Sequence, residues 1–366
     1  MTTKLRVILS VFVLTLALGV SAYAADMTAS LKTGKPALKS ASALAFGPDG
    51  VLFIGDAMGA SIVAVDTGDR KAGTAAPLNV VGLNEKVAAL LGTTPDQILF
   101  NDMVVNPISR KAYVSVSRGR GPDAVPVILR VDNSGKIEEL SLDTVKFSSV
   151  SLSNAPADAK DQRGMNSRMQ AITDIAYVDG RVFVAGLSNE EFSSKLRAIP
   201  FPFAEAGPGT SVEIYHGSHG RFETNSPVRT FVAYKIKEQQ HILAAYTCTP
   251  LVAFPVKDLQ PGAKVMGKTI AELGNRNSPL DMIVYQKDGK NYILLNNSSR
   301  GVMKITADGL DTYQPITAHT EVTGVPYTTI DSLKGVQHLD KYDEQNALLL
   351  IRAESGSLDL KTVALP

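Results

Sequence analysis

Two groups of residues in the 366-residue chain have the chemistry to hold a metal ion. His216 and His219 stand three apart in HGSHGRFET, and Cys248, the only cysteine, follows in YTCTP. Imidazole with thiolate suits zinc or copper, and a thiol beside an imidazole also suits nucleophilic attack. Histidine on a wet loop and cysteine as a small buried hydrophobe are the readings without chemistry. Asp102 in DMVV, Asp174 in DIAY and Asp281 in DMIV form the second group, each opening an apolar run. Three carboxylates converging on one point repel unless a cation or a proton shares the site. Oxygen ligands of this kind suit Ca²⁺ or another hard divalent cation, with Asn101 and Asn277 near enough in sequence to add neutral oxygens.

A third stretch, GAKVMGKT at 262–269, matches the phosphate-loop pattern letter for letter. That pattern binds nucleotide only where a buried strand feeds it and a helix leaves it. Here Pro261 and Gly262 make a turn before it, and Gly274 and Pro279 interrupt the segment after it too early for a sustained helix. It therefore reads as an outer strand, and no nucleotide is expected. Haem attachment through C-x-x-C-H is excluded by the single cysteine. Neither a G-x-S-x-G elbow nor an H-E-x-x-H helix is present.

The elements that position these residues are strands. Val, Ile, Tyr and Phe come in short runs separated by Gly, Asp, Asn and Pro. A unit of strand, tight turn, strand, variable loop and strand recurs from Ala43, Asp102, Asp174, Thr230, Asp281 and Val336. Short-strand repeats at roughly 50-residue periods indicate an all-β, six-bladed β-propeller, with seven blades if 146–169 hides another. Fourth strands are expected from Leu78, Lys136, Ser211, Ala263 and Leu310, and a short helix over 84–91. The last copy ends without a fourth strand, so the ring is expected to close by pairing the two chain ends, with 28–40 supplying the missing strand.

In such a ring the inner strands and the second loops share one end of the channel. The first turns (GPDG, NPISRK, VDG) are plain connectors, whereas the second loops (SRGRGPDA, SNEEFSSK, YTCTP, NNSSRG) are varied and reactive. The working face is therefore placed on the second-loop side. Arg118, Arg120, Glu190, Glu191 and Arg300 lie there, where arginine's planar fork suits an anionic ligand or a partner protein. The ligand-binding set is thus Arg118, Glu190, His216, His219, Cys248 and Arg300. The metal set is Asp102, Asp174 and Asp281, with backbone N–H groups of a neighbouring blade as the alternative partners of these aspartates.

FGPDGVLFIGD, with the strand starts at Asp102, Asp174 and Asp281, resembles the propeller superfamily of gluconolactonase-like and NHL-repeat proteins. The resemblance is architectural and covers most of the chain after residue 24. It implies a divalent cation in the channel mouth held by Glu, Asn and Asp, and hydrolysis of lactones or related esters. Asp281 or Asp174 would take the aspartate role, while Ala43 stands where the family's first-blade glutamate would be.

Lys4 and Arg6, the apolar stretch 7–20 and Ala22-Tyr23-Ala24 form a secretory signal, leaving 25–366 as one propeller domain, periplasmic or secreted. No cysteine follows that stretch to carry a lipid, and no later stretch suits membrane insertion. With 37 basic against 36 acidic residues and no basic block, a nucleic-acid partner has no electrostatic support. The expected function is binding of a small molecule or another exported protein on the channel-mouth face, with or without a divalent cation. Metal-dependent lactone or ester hydrolysis is the alternative.

Overall fold

The computed structural model describes residues 26–74, 76–162 and 164–366, so the expected signal segment 1–24 lies outside the described residues. Six small antiparallel sheets form the blades of a β-propeller. Their first three strands are, for blade 1, Leu44–Phe46, Val51–Asp56 and Ser61–Asp66, and for blade 2, Ile98–Val105, Ala112–Arg118 and Val125–Val131. Blade 3 has Asp174–Val178, Arg181–Leu187 and Ser194–Pro200, and blade 4 has Val228–Ile236, Gln239–Tyr246 and Pro250–Pro255. Blade 5 has Pro279–Lys287, Lys290–Asn297 and Gly301–Thr306, and blade 6 has Val336–Lys341, Asn346–Arg352 and Leu358–Ala364. All six repeat units read from the sequence thus become blades. Each central strand is a run of buried Val, Ile, Leu, Phe and Ala, because a blade is covered on both faces by its neighbours.

The chain does not visit the blades in ring order. Inner strands pack in the circular order 1, 3, 4, 5, 6, 2, so blade 2 sits between blades 1 and 6. Six apolar clusters, one per junction, follow the same order. At the junction of blades 1 and 3, Phe53 and Phe201 meet edge to face with ring centroids 4.9 Å apart, a pairing worth about 1 kcal/mol beyond area burial.

This order corrects the expected fourth strands. Asn79–Val80, expected in blade 1, pairs with Lys361 and Leu360 and completes blade 6. Blade 1 is instead completed by Val145–Ser151, which takes the start of the stretch that left a seventh blade possible, and the described remainder of it forms no further sheet, with the isolated bridge Lys160–Asn166 and the 3-10 turn Ser167–Gln170. Lys32–Gly34, expected to close the ring against the C-terminus, pairs with Val145–Phe147 on the outer edge of blade 1. The ring is closed by the chain on its way from blade 1 to blade 2. Leu78 is fully buried, and Leu358 N–H bonds the Asn84 side chain at the start of the helix Leu83–Leu90. The segment from Leu310 begins with a short 3-10 turn rather than a strand, and blade 5 takes Tyr327–Thr329. The expected strands from Lys136 and Ser211 appear as Ile137–Glu139 and Thr210–His216.

GAKVMGKT is strand on both sides of Gly267. Lys264–Met266 runs parallel to Ser211–Glu213 of blade 3, and Lys268–Leu273 completes blade 4. The first half, expected in blade 4, therefore bridges to blade 3. A Cβ on Gly267 would lie 2.4 Å from side-chain atoms of both Val252 and Phe254, so the glycine serves close packing. No helix among the described residues is long and apolar enough to cross a membrane.

Candidate metal centre

The second-loop side of the ring carries two groups of metal-ligand type, one in the channel and one in the crevice between blades 3 and 4. In the channel, Asp102 and Asp281 come together with His338, which the sequence reading did not single out. His338 Nδ1 lies 3.1 Å from Asp281 Oδ2 and 3.8 Å from Asp102 Oδ1. Asp174 lines the same channel but does not join that group. Each aspartate binds the backbone of a neighbouring blade: Asp102 accepts from Leu44 N–H at 2.6 Å, Asp174 from Phe231 at 2.7 Å and Asp281 from Leu339 at 2.9 Å. Asp340 does the same with Val105 at 2.7 Å, tying blade 6 to blade 2. The other oxygens of Asp102, Asp174 and Asp340 take the N–H of the next residue in their own strand.

Burial governs the ionisation of this ring. It pushes the carboxyls of Asp174 and Asp340 up to about 7, against the N–H bonds that favour the anion. Asp102 is raised well above its ordinary value by burial and by the neighbouring Asp281 charge. Burial opposes protonation of His338, but the Asp281 and Asp102 charges overcome it and hold the imidazole up to about 9. His338 is the sixth repeat's counterpart of these inner-strand starts, and its place in VQHLD was the signal available in the sequence.

In the crevice, one ligand atom from each of His216, His219 and Cys248 lies within 4.8 Å of the others. His216 ends the fourth strand of blade 3, and the turn Gly217–His219 brings the second ring over the first, with centroids 3.9 Å apart. Both imidazoles are held by one carboxylate: His216 Nδ1 lies 2.9 Å from Glu223 Oε2, and His219 Nδ1 lies 2.7 Å from Glu223 Oε1. Burial alone would raise the Glu223 carboxyl, yet bonds from His216, Ser226 and His219 hold it far below the usual range. With both Nδ1 atoms engaged, the nitrogens left for a ligand are the Nε2 atoms. That of His216 is buried and has no hydrogen-bond partner.

Cys248 arrives from blade 4 on a strained turn. Cys248 and Thr249 have φ of 63° and 60°, an uncommon region for any side chain and a costly one for a β-branched residue. The turn is pinned by Cys248 N–H to Asn277 O at 2.7 Å, Thr249 N–H to Tyr246 O at 2.8 Å and the buried Thr249 hydroxyl to Gly274 O at 2.7 Å. Asn277, expected near the aspartates, thus helps place the cysteine. Behind the histidine turn, fully buried Glu272 accepts the Gly217 N–H at 2.5 Å through Oε1, while its Oε2 has no partner. Burial lifts this carboxyl to about 8. Glu223 was legible as the acidic residue four positions after His219; Glu272 carried no sequence signal, since only the fold brings its strand to the turn.

The remaining predicted ligand-binding residues lie elsewhere. Arg118 donates to Leu91 O at 3.4 Å, and Arg300 donates to Asn275 O at 3.3 Å while covering Gly274. Glu190 pairs with the buried ammonium of Lys195 and accepts from Asn154. Asn101 donates to Ala41 O in blade 1, joining blades rather than the cation group.

No protein-family model and no curated protein matches the chain. Among solved structures, it is similar to a PQQ-bound aldose sugar dehydrogenase from Streptomyces coelicolor at 14% identity, covering 91% of this chain and 96% of that one, with a TM-score of 0.35. A luciferin-regenerating enzyme matches at 8% identity over 92% and 96% of the two chains, TM-score 0.32. An engineered GH43 glycoside hydrolase matches at 9% identity over 74% of this chain and 51% of the hydrolase, about half its length, TM-score 0.37. At these values none of them bears on ligand or activity, and the six-bladed ring rests on its own sheets.

Proposed function

We propose that the chain is an exported β-propeller that binds a zinc-class ion through His216, His219 and Cys248 on its channel-mouth face, leaving a coordination position for a small ligand. One observation carries this reading. Glu223 engages the Nδ1 atoms of both histidines and leaves a buried, unpartnered Nε2 on His216 beside a thiol. Ligating histidines are commonly oriented in this way by a carboxylate on the other ring nitrogen. Three protein ligands of N and S type match open zinc sites, with copper the competing ion for the same donors. Export rests on the basic, apolar and Ala-Tyr-Ala pattern of 1–24. The channel aspartates are assigned to tying blades together, because Asp102 and Asp174 have both oxygens committed to backbone N–H groups.

A second reading is hydrolysis of an ester or lactone by water at such an ion, favoured by the open oxygen of buried Glu272 behind the histidine turn. Titration of metal-free protein with Co²⁺ tests the first reading. Binding of one equivalent with a thiolate-to-metal absorption band, lost in Cys248→Ser, is expected; binding without that band, or no binding, contradicts it. Turnover of an ester and lactone panel that disappears in Glu272→Gln with the ion still bound would support the second.

A further inference from the structure

A cavity of 430 Å³ opens on the second-loop side of the ring, between blades 2 and 6. Its walls include Leu99, Phe100, Leu280, Leu350 and Leu358, and Leu99 leaves 44% of its surface exposed. Two arginines line it. Arg120 spends Nε and Nη2 on the Asp96 carbonyl at 2.9 and 2.6 Å, and Arg352 spends Nη1 on the Gly356 carbonyl at 3.3 Å. Backbone carbonyls thus fix both guanidinium groups, and the Asp96 carboxylate, whose charge interacts with Arg120, stands beyond ion-pair distance. Among the described residues neither has a carboxylate within ion-pair distance, although ten other lysine and arginine side chains do, in pairs such as Lys111 with Asp69 and Lys195 with Glu190. The one carboxylate in the lining, Asp96, is turned to the Gln97 amide. His338 at the inner end faces Asp281, so its charge is met within the protein. The lining also includes the side chain of Gln337, whose amide nitrogen is held by Gly335 O.

The geometry points to a binding site for a small organic monocarboxylate, with its apolar body against the leucines and Phe100 and its carboxylate on Arg120 and Arg352. A volume of this size lies in the range of small-molecule pockets, and guanidinium donors match a carboxylate in planar, two-point fashion. The site is separate from the His216 centre, so its failure would leave the metal reading standing.

Calorimetric titration with 3-phenylpropanoate, its neutral amide 3-phenylpropanamide and phenethylamine tests it. The acid is expected to bind, with the amide at least about tenfold weaker and the amine weaker still, since the charge-assisted bonds to the two guanidinium groups are lost. Added salt should weaken the acid. Arg120→Gln with Arg352→Gln should lower its affinity at least about tenfold with an unchanged melting temperature, because both side chains are exposed. Cys248→Ser should bind the acid as the parent does. Equal binding of acid and amide, unchanged affinity in the double variant or in the single Arg120→Gln variant should the double one not fold, or no binding of the acid at millimolar concentration, would each overturn the proposal.

Discussion

Replacing Glu223 reads out the metal centre without touching a ligand. The carboxylate accepts from His216 and His219 on separate oxygens and also takes the Ser226 hydroxyl and the Arg221 guanidinium. Loss of one such outer partner generally costs about 10- to 100-fold in metal affinity. Glu223→Ala removes the partner of both imidazoles, so Zn²⁺ affinity should fall by about 10²- to 10⁴-fold. Glu223→Gln keeps one acceptor oxygen and can serve only one ring, so it should fall by about 10- to 100-fold. The metal-free protein should lose stability as well, since His216 is buried and its Nδ1 is left unsatisfied at a cost of about 1–3 kcal/mol. Competition against a chromophoric chelator gives the affinities, and urea unfolding of the metal-free forms gives the stabilities. A Glu223→Ala protein that folds and binds Zn²⁺ as tightly as the parent refutes the reasoning. Equal losses in Ala and Gln variants would refute the two-ring part of it.

Three further outcomes are expected. Gly217→Ala places a Cβ 2.8 Å from Glu272 Cγ and should cost about 1–3 kcal/mol by denaturant unfolding while weakening Co²⁺ binding, since the turn carries His219. Asp174→Ala removes the acceptor of Phe231 and Ile175 N–H groups and should destabilise by about 2–5 kcal/mol, a loss that added Ca²⁺ does not restore. Asp174 and Asp340 are raised to about 7, so their stabilising contribution is complete below the ordinary aspartate value and is lost as pH climbs through about 7. His338, raised to about 9, follows the same sign, its contribution present below the ordinary histidine value and lost toward pH 9. Urea unfolding should therefore show stability falling between pH 4 and 7 by up to about 1.4 kcal/mol per unit for each of the two carboxyls. Asp340→Asn should remove one of those slopes, and a parent curve that rises over this window contradicts the assignment.

Much of the fold is written locally. Turns such as GPDG and VDG and the alternation of short apolar runs specify hairpins, because tight-turn chemistry and strand patterning are properties of a few neighbouring residues. Which blade a fourth strand joins is not local. Val145–Ser151 returns to blade 1 after the whole of blade 2, and only two residues, Asn79–Val80, close the ring. A strand of two residues has no periodicity to read, and its partner Leu358–Ala364 lies at the far end of the chain. The crevice site was half legible: His216, His219 and Cys248 could be named from residue chemistry and loop position, but their convergence depends on the positive-φ turn at Cys248 and Thr249. Conversely, the Asp102, Asp174 and Asp281 starts were found correctly as a repeated position, and the backbone N–H groups that engage them belong to neighbouring blades that sequence spacing cannot reveal.

X-ray absorption at the zinc edge of the loaded protein separates the His216 centre from the channel group, because the two differ in donor type. An ion on His216, His219 and Cys248 gives one sulfur at about 2.3 Å and two imidazole nitrogens at about 2.0–2.1 Å, with a further light atom in the open position. A shell of oxygen donors alone, unchanged in Cys248→Ser and lost in Asp102→Ala or Asp281→Ala, would place the ion in the channel and contradict the proposed centre.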